Sequence, residues 1–553
     1  MTDDVILDIT GSGAEMEGVA RLDGMAVFVP GALPGERVRA RIVKRAARYA
    51  RAEVEEVLVA SPERRMPECS AFGKCGGCGL MHMSYQATLD QKAHYIDDCM
   101  ARIGGVKIPA CNVYGMERPY GYRNRVQFPV GGSVQQPRVG FYRGESHDVV
   151  DLPQGCMLVA PQLNKARTIF ANWLHANAIS PYNEKDHRGL VRHAVFRRNR
   201  AGQFMAIVVA NGRRLPGAEA LWRALKPAGC ISLVLNVLTD AHSARRGTEI
   251  FGREFVCLYG EDSYVDEILG CKFELSAPSF FQINPEMTDK LYSLAIEMAA
   301  LRDGETLLDA YCGAGTIGLT LLRHSSAAHS QLIGIESVPE AISNARRNAQ
   351  LNGLEHTRFI CGRCERELPR LADQGLCPDV AVVDPPRKGC DEALLSTLCE
   401  LGKRTLRRIV YVSCNPATLA RDVNIMARNG WCVSRLVGVD MFPWTGHVET
   451  VAVLSRKSAT KTFIPVTVSP KDMGLDEAKA QPTYENIRKY VKETHGLTVS
   501  TLNIAQMKTE CGLEMECDRS GGKQQPKCPP EKREAILDAF RHFGMIEDDS
   551  SEG

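Results

Sequence analysis

In the run Val410-Tyr-Val-Ser-Cys-Asn-Pro-Ala-Thr-Leu-Ala-Arg-Asp422 one cysteine stands where an apolar strand ends and a helix begins. Asn415 is a favourable N-cap and Pro416 suits the first helical position, so Cys414 falls beside the positive end of a helix dipole. A free thiol has a pKa of roughly 8.5 and is a weak nucleophile at neutral pH, whereas a helix N-terminus and nearby cations can lower that value by about a unit or more. The placement therefore predicts a thiolate. A buried structural cysteine would suit this segment as well, and the surrounding motifs must decide.

A second site-forming run is Leu307-Leu-Asp-Ala-Tyr-Cys-Gly-Ala-Gly-Thr-Ile-Gly318, an apolar strand leading through a glycine loop into a helix. Glycines let backbone approach a ligand, and the helix start offers free N–H groups. Glu336 closes the next apolar run, where a carboxylate can accept from ribose hydroxyls. These features predict a nucleoside-cofactor site. They do not choose between a nicotinamide dinucleotide and S-adenosylmethionine.

Three further motifs make that choice. Asp384-Pro-Pro-Arg-Lys-Gly389 follows the apolar run Val380–Asp384, Ser276-Ala-Pro-Ser-Phe-Phe-Gln-Ile-Asn284 precedes the cofactor region, and His447-Val-Glu449 heads the last strand. With Ser413-Cys-Asn-Pro416 they resemble the signatures of the RNA uracil-5-methyltransferases, over roughly residues 5 to 456. The resemblance implies Cys414 as nucleophile, Glu449 as general base, and S-adenosylmethionine contacts from Gln282, Tyr311, Glu336 and Asp384. It leaves Asp384 a competing role at the uracil edge. Arg363 departs from the pattern, standing where a short polar or acidic contact to adenine is expected. A dehydrogenase has no use for the Cys414 and Glu449 pair. A nonenzymatic RNA-binding iron–sulfur protein on this scaffold would not need to keep it.

Composition is compatible with this reading. At 553 residues and 44% hydrophobic the chain can hold several cores, and no run of 18 apolar residues predicts a membrane span. Met1-Thr-Asp-Asp lacks a charged-then-apolar leader, and 20 cysteines spread over this length do not form a secreted disulfide framework, so a cytoplasmic protein is expected. Net charge of only +2 leaves any RNA footprint to local patches.

The cluster Cys69-x5-Cys75-Gly-Gly-Cys78 has ligand-like spacing. Adding His82 would make a tetrahedral zinc site, and adding Cys156 would supply four thiolates for an iron–sulfur cluster. The family resemblance implies the second, a [4Fe–4S] cluster on Cys69, Cys75, Cys78 and Cys156.

Stepping along the chain, short strands over 1–62 predict a small OB-like β-barrel that resembles the TRAM domain. Between Arg37 and Arg51 it carries seven basic residues and no acidic one, and Arg37, Arg39 and Arg41 fall on one side of a strand, which suits a phosphate backbone. Residues 63–272 read as an iron–sulfur segment and a central α+β domain of antiparallel sheet with charged outer faces. Its Arg123, Arg125, Arg192 and His193 could grip RNA. Residues 273–457 alternate strands with helices and predict a doubly wound, Rossmann-like α/β methyltransferase domain. A linker over 458–481 leads to a helical C-terminal extension, 482–553, where a helix-turn-helix or a zinc site at Cys511, Cys517 and Cys528 are weaker readings. The whole is expected to act as a monomer on RNA, 23S ribosomal RNA before tRNA, because the barrel-plus-cluster architecture resembles the ribosomal branch of the family.

Overall fold

The structure is a computed structural model and describes residues 4–239, 250–325, 329–456, 484–511, 528–543 and 545. The chain divides into two compact units between Ser458 and Ala459.

In the first unit, strands Asp4–Asp8, Gly11–Ser12, Gly18–Leu22, Met25–Val29, Arg37–Arg45 and Tyr49–Val59 form one six-stranded sheet. Its strands alternate because side chains of a strand point to opposite faces. Leu7, Val27, Val29, Val38, Ala40 and Ala52 turn inward to a small core, while Arg37, Arg39 and Arg41 turn outward. Those arginines are not a bare phosphate track. Arg37 pairs with Asp8 at 3.7 Å, Arg39 with Glu56, and Arg41 with Glu53 at 3.3 Å and Glu55 at 3.4 Å. The carboxylates come from neighbouring strands, which is why the basic run looked unopposed in sequence. Lys44 and Arg48 remain exposed.

The next sheet has seven strands in the order Val149–Asp151, Pro137–Tyr142, Arg125–Gly132, Val191–Arg198, Phe204–Ala210, Cys230–Val237 and Glu254–Gly260. It departs from the expected antiparallel sheet with charged faces. Phe204–Ala210 is buried at every position and runs parallel to Cys230–Val237, joined to it through the helix Ala218–Leu225. A strand covered on both faces has no polar side to alternate with.

The third large sheet positions the candidate site. Its order is Thr357–Cys361, Gln331–Glu336, Thr306–Ala310, Val380–Val383, Arg408–Ser413, Glu449–Arg456, Trp431–Val439 and Asn112–Tyr114. The first five are parallel, and Glu449–Arg456 returns antiparallel. Strand alternation divides the core in two: Val410 and Val412 face the layer of helices Pro285–Ala299 and Thr316–His324, whereas Ile409 and Tyr411 face Cys364–Asp373, Glu392–Gly402 and Pro416–Arg428. Each fully buried aliphatic side chain there contributes about 1.5–3 kcal/mol of transfer free energy. This is a doubly wound α/β sheet, as the alternation of elements predicts.

One strand comes from outside the expected domain limits. Asn112–Tyr114 lies parallel to Trp431–Val439, and the preceding helix Tyr85–Cys99 packs on the same layer. The boundary at 272 thus divides the sequence but not this sheet.

The second unit holds helices Tyr484–His495, Thr501–Glu510 and Pro530–His542 around Ile487, Val491, Ile504, Met507, Ile536 and Phe540. Both the expected linker and Cys517 lie outside the described residues. Among the described residues no helix is long and apolar enough to cross a membrane.

Candidate active site

Asp309, Glu336, Asp384 and Cys414 all fall at or just beyond the carboxyl ends of parallel strands, the edge at which open α/β sheets bind ligands. Asn415 caps the helix Pro416–Arg428 by accepting from the Ala417 N–H at 3.0 Å, so Cys414 occupies the strand-to-helix turn that the sequence predicts. Across the antiparallel pair Ser413 registers with Thr450, whose hydroxyl donates to the Ser413 carbonyl at 2.9 Å. One step further along that register Cys414 meets Glu449. The start of a returning strand shares an edge with its neighbours' ends, and the pair is assembled there.

The thiol is not preformed as a thiolate. Burial pushes the Cys414 pKa up to about 11, helped by the charges of Glu449 and Asp384 and opposed by Arg387. This corrects the expectation from the helix dipole alone: desolvation and two nearby carboxylates outweigh the capped N-terminus. Glu449 itself is pushed up to about 8 by burial and by Asp384, against the pull of Arg387. Burial alone raises Asp384 to about 7. Arg387 is the cation that favours the ionised form of both Cys414 and Glu449. It was passed over in the sequence although it lies inside the Asp384–Gly389 motif; its backbone carbonyl, accepting from Asn415 and Thr418 at 3.3 Å, ties that loop to the cysteine turn.

The glycine loop meets geometric demands of its own. Asp309 accepts the Gly318 N–H at 2.9 Å, and a Cβ at Gly318 would stand 2.5 Å from the same carboxylate oxygen. Its other oxygen is buried without a partner, and burial lifts the carboxyl to about 8. Tyr311 has a left-handed backbone, φ 65°, strain of the kind held at functional sites. Glu336 accepts from the N–H groups of Gly313 at 3.3 Å and Val338 at 2.9 Å, fixing its carboxylate at the strand end. Gln282 is buried on the segment before helix Pro285–Ala299. Arg363, whose presence put the adenine end in question, turns to Glu365 at 2.7 Å with its side chain more than half exposed.

The central segment distributes its basic residues differently from the expectation of an RNA grip. Arg123 lines a pocket together with Cys69, Cys75, Cys78 and Cys156, flanked by Phe72 and Phe141. Arg125 is held down to about 10 by burial and by Arg197. Arg192 lies over the Tyr182 ring at 3.5 Å and, with Arg138 and His193, lines a separate cavity of about 550 Å³. Within the cysteine pocket the Gly77 N–H donates to the Cys75 sulfur at 3.3 Å. His82 does not line it and packs at a tilt against Phe72 instead, 5.5 Å between ring centres. Among the described residues no three His, Cys, Asp or Glu side chains converge as a metal-holding group, and this applies to the four cysteines as much as to the set with His82.

A glycine loop before a helix, carboxylates ending successive parallel strands, and an antiparallel last strand define the nucleoside-cofactor domain of a methyltransferase. The tRNA (Uracil-5-)-methyltransferase family profile matches residues 258–457 and the TRAM domain profile matches residues 5–54. An uncharacterized RNA methyltransferase of Halalkalibacterium halodurans is 42% identical over 457 residues, 82% of this chain and 96% of that protein. One from Clostridium acetobutylicum is 39% identical over 446 residues, 80% of this chain and 94% of that protein. The crystal structure of Pyrococcus abyssi tRNA (uracil-54, C5)-methyltransferase with S-adenosyl-L-homocysteine aligns with a TM-score of 0.65 at 25% identity, covering 81% of this chain and 99% of that one. The chain belongs to the RNA uracil-5-methyltransferase family and is an S-adenosylmethionine-dependent RNA methyltransferase.

Proposed function

We propose that the protein methylates C5 of one uridine through a covalent adduct at C6, with 23S ribosomal RNA as the substrate. The observation that carries the chemistry is the pairing of Ser413 with Thr450, next to which Cys414 lies close enough to Glu449 and Asp384 for both charges to act on its thiol. Uracil C5 is a poor nucleophile until electron density is pushed onto it. Once its proton is lost, the Cys414 thiolate bonds to C6, and the C5–C6 π pair moves out through C4 to the C4 oxygen as an enolate. Carbon C5 of the enolate then takes the methyl that bound S-adenosylmethionine would supply, the S–CH3 pair leaving on the neutral thioether. Glu449 then accepts the C5 proton, the freed pair re-forms the C5–C6 double bond, and the C6–S bond breaks to return the thiolate. Arg387 favours the ionised sulfur and carboxylate during this cycle. The closeness of Asp384 to Cys414 favours the uracil edge over the cofactor as its partner: protonated, Asp384 would donate to a uracil carbonyl, and ionised, it would accept from N3–H.

Gln282, Tyr311 and Glu336 would hold the methyl donor, Glu336 by accepting from ribose hydroxyls. Residues 1–62 and 63–272 would hold the RNA and 273–457 perform the transfer, the protein acting as a cytoplasmic monomer. A tRNA substrate is the second reading, favoured by the likeness to the Pyrococcus abyssi enzyme. Incubating the protein with labelled methyl donor and total RNA from a methyl-deficient strain, then mapping the label, tests both. Label confined to one uridine of 23S RNA is the expected result; label in tRNA transfers the assignment.

The reading of a [4Fe–4S] cluster on Cys69, Cys75, Cys78 and Cys156 is supported by four thiols that line one pocket and by the Gly77 N–H that donates to the Cys75 sulfur, although the four do not converge as a ligand group among the described residues. The cluster would hold the segment in place, because methyl transfer needs no electron. Anaerobically purified protein is expected to be brown; Cys156→Ser should remove the broad visible absorbance and His82→Ala should not. A colourless wild type carrying one zinc per chain would refute the cluster.

A further inference from the structure

The connection between the last two catalytic strands, residues 440–448, delivers Glu449, and besides its own turn hydrogen bonds it is held by residues far away in the chain. Val439 is the cross-strand partner of Glu449, and Asp440 follows it directly. The Asp440 carboxylate is fully buried and accepts from Lys92 Nζ at 2.6 Å through one oxygen and from the Tyr85 hydroxyl at 2.8 Å through the other. Lys92 is equally inaccessible, and its ammonium also reaches the Phe442 carbonyl at 3.4 Å. The Tyr85 oxygen in turn accepts from the Met116 N–H at 3.0 Å, and the Asp440 N–H donates to the Tyr114 carbonyl at 2.8 Å.

Further along the connection, the Trp444 carbonyl accepts from the N–H groups of both Gly79 and Leu80 at 3.1 Å. The Trp444 indole donates to the Pro119 carbonyl at 3.0 Å and its ring packs 5.2 Å from that of Tyr85. A buried ion pair is a costly way to gain stability, because taking both charges out of water offsets most of their attraction, and an apolar pair of similar volume often does as well. What such a pair does supply is a single geometry. Here that geometry is imposed one residue from the partner of Glu449.

We propose that Lys92, Asp440 and Tyr85 are positioning residues that set the reach of the Glu449 carboxylate toward the C5 proton. The inference rests on the reading of Glu449 as the base. Adduct formation and methyl transfer draw on Cys414 and the strand ends, which this network does not touch. Loosening it therefore slows one step, proton removal, and leaves the earlier steps nearly intact.

Single substitutions would strand a buried charge, so the variant to make is Lys92→Met with Asp440→Asn, which removes both charges while the asparagine oxygen still accepts from Tyr85. The full-length protein is compared with wild type and with Glu449→Gln on a short target RNA, by turnover, by denaturant-stable protein–RNA complex, and by amide hydrogen exchange over 440–449. Expected are turnover lowered ~10²-fold, the scale set by a misplacement of about 1 Å, accumulation of a methylated covalent complex as in Glu449→Gln, and faster exchange confined to the connection. Tyr85→Phe, which keeps the ion pair, should show the same pattern to a smaller degree. A folded double variant with normal turnover, or with lowered turnover and no accumulated complex while Glu449→Gln accumulates it, overturns the proposal. If Glu449→Gln itself accumulates nothing, the reading of Glu449 as the base is refuted, and unchanged exchange over 440–449 in the double variant then separately refutes the clamp.

Discussion

Cys414→Ala is expected to abolish methyl transfer, lowering turnover by ~10⁴-fold or more, the scale seen when a covalent nucleophile is removed. It should form no complex with RNA that survives denaturation. Glu449→Gln should fail differently: methyl arrives, the C5 proton stays, elimination stalls, and a methylated RNA–protein adduct accumulates. An RNA with 5-fluorouridine at the target should trap the wild type in the same way, since fluorine cannot leave as a proton. Denaturing gel mobility of labelled RNA reads all three. A Cys414→Ala protein that kept more than a trace of turnover would rule out the covalent route, and the register of Cys414 with Glu449 would need another explanation.

The pH dependence should separate activity from stability in opposite directions. Cys414, pushed up to about 11, must lose its proton before the adduct can form, whereas Glu449, pushed up to about 8, is needed ionised only at the later removal of the C5 proton. Log kcat/KM should therefore climb with a slope of about 1 toward pH 11, because this parameter reports free-enzyme ionisations up to methyl transfer, and the demand for ionised Glu449 should appear in kcat instead. Stability runs the other way. Glu449, Asp384 and Asp309 are raised from ordinary values of 4.5, 3.8 and 3.8 to about 8, 7 and 8, so the native state holds protons that the unfolded chain releases. Their contribution is complete below those ordinary values and is lost as pH rises through about 7 to 8. The Tm of the ligand-free protein should fall as pH rises from about 4 and level off above about 8, and S-adenosylmethionine, whose sulfonium favours the ionised carboxylates, should reduce the loss. Thermal scans across that range check it; a flat Tm with and without the methyl donor would contradict the burial of these carboxyls.

What could be read in the sequence was what neighbouring residues determine. The cap at Asn415, the proline start of its helix, the glycine loop after Ala310 and the strand-ending carboxylates are local patterns, and the structure has elements where these patterns place them. The methyltransferase fold and the TRAM domain follow from them. Partners distant in sequence were not legible. Arg37, Arg39 and Arg41 looked unopposed because their carboxylates arrive from other strands, and Arg123 looked like a phosphate ligand because nothing in its own segment shows that it faces four cysteines. The Cys414 thiol was misjudged for the same reason. A helix N-terminus is visible in four residues, but the burial and the two carboxylates that override it come from the assembled sheet edge. Arg387 stands inside a motif that is legible in the sequence, but that its charge acts on Cys414 and Glu449 follows only from the assembled loop.

The eighth strand of the catalytic sheet bears on the order in which this chain becomes an enzyme. Tyr85 and Asp440 are 355 residues apart, so the contact that seats the connection ahead of Glu449 closes one of the longest loops in the molecule. Contacts of such separation form late, after the entropy of closing the intervening chain has been offset by everything folded within it. During synthesis the strand Asn112–Tyr114 leaves the ribosome long before the edge it will complete. A nascent or partly folded chain can then build its glycine loop and cysteine turn while the carboxylate that finishes the reaction is still unseated. Catalytic competence is thereby tied to completed folding, and a protein trimmed to 273–457 would expose the edge of Trp431–Val439 as an open template for other strands.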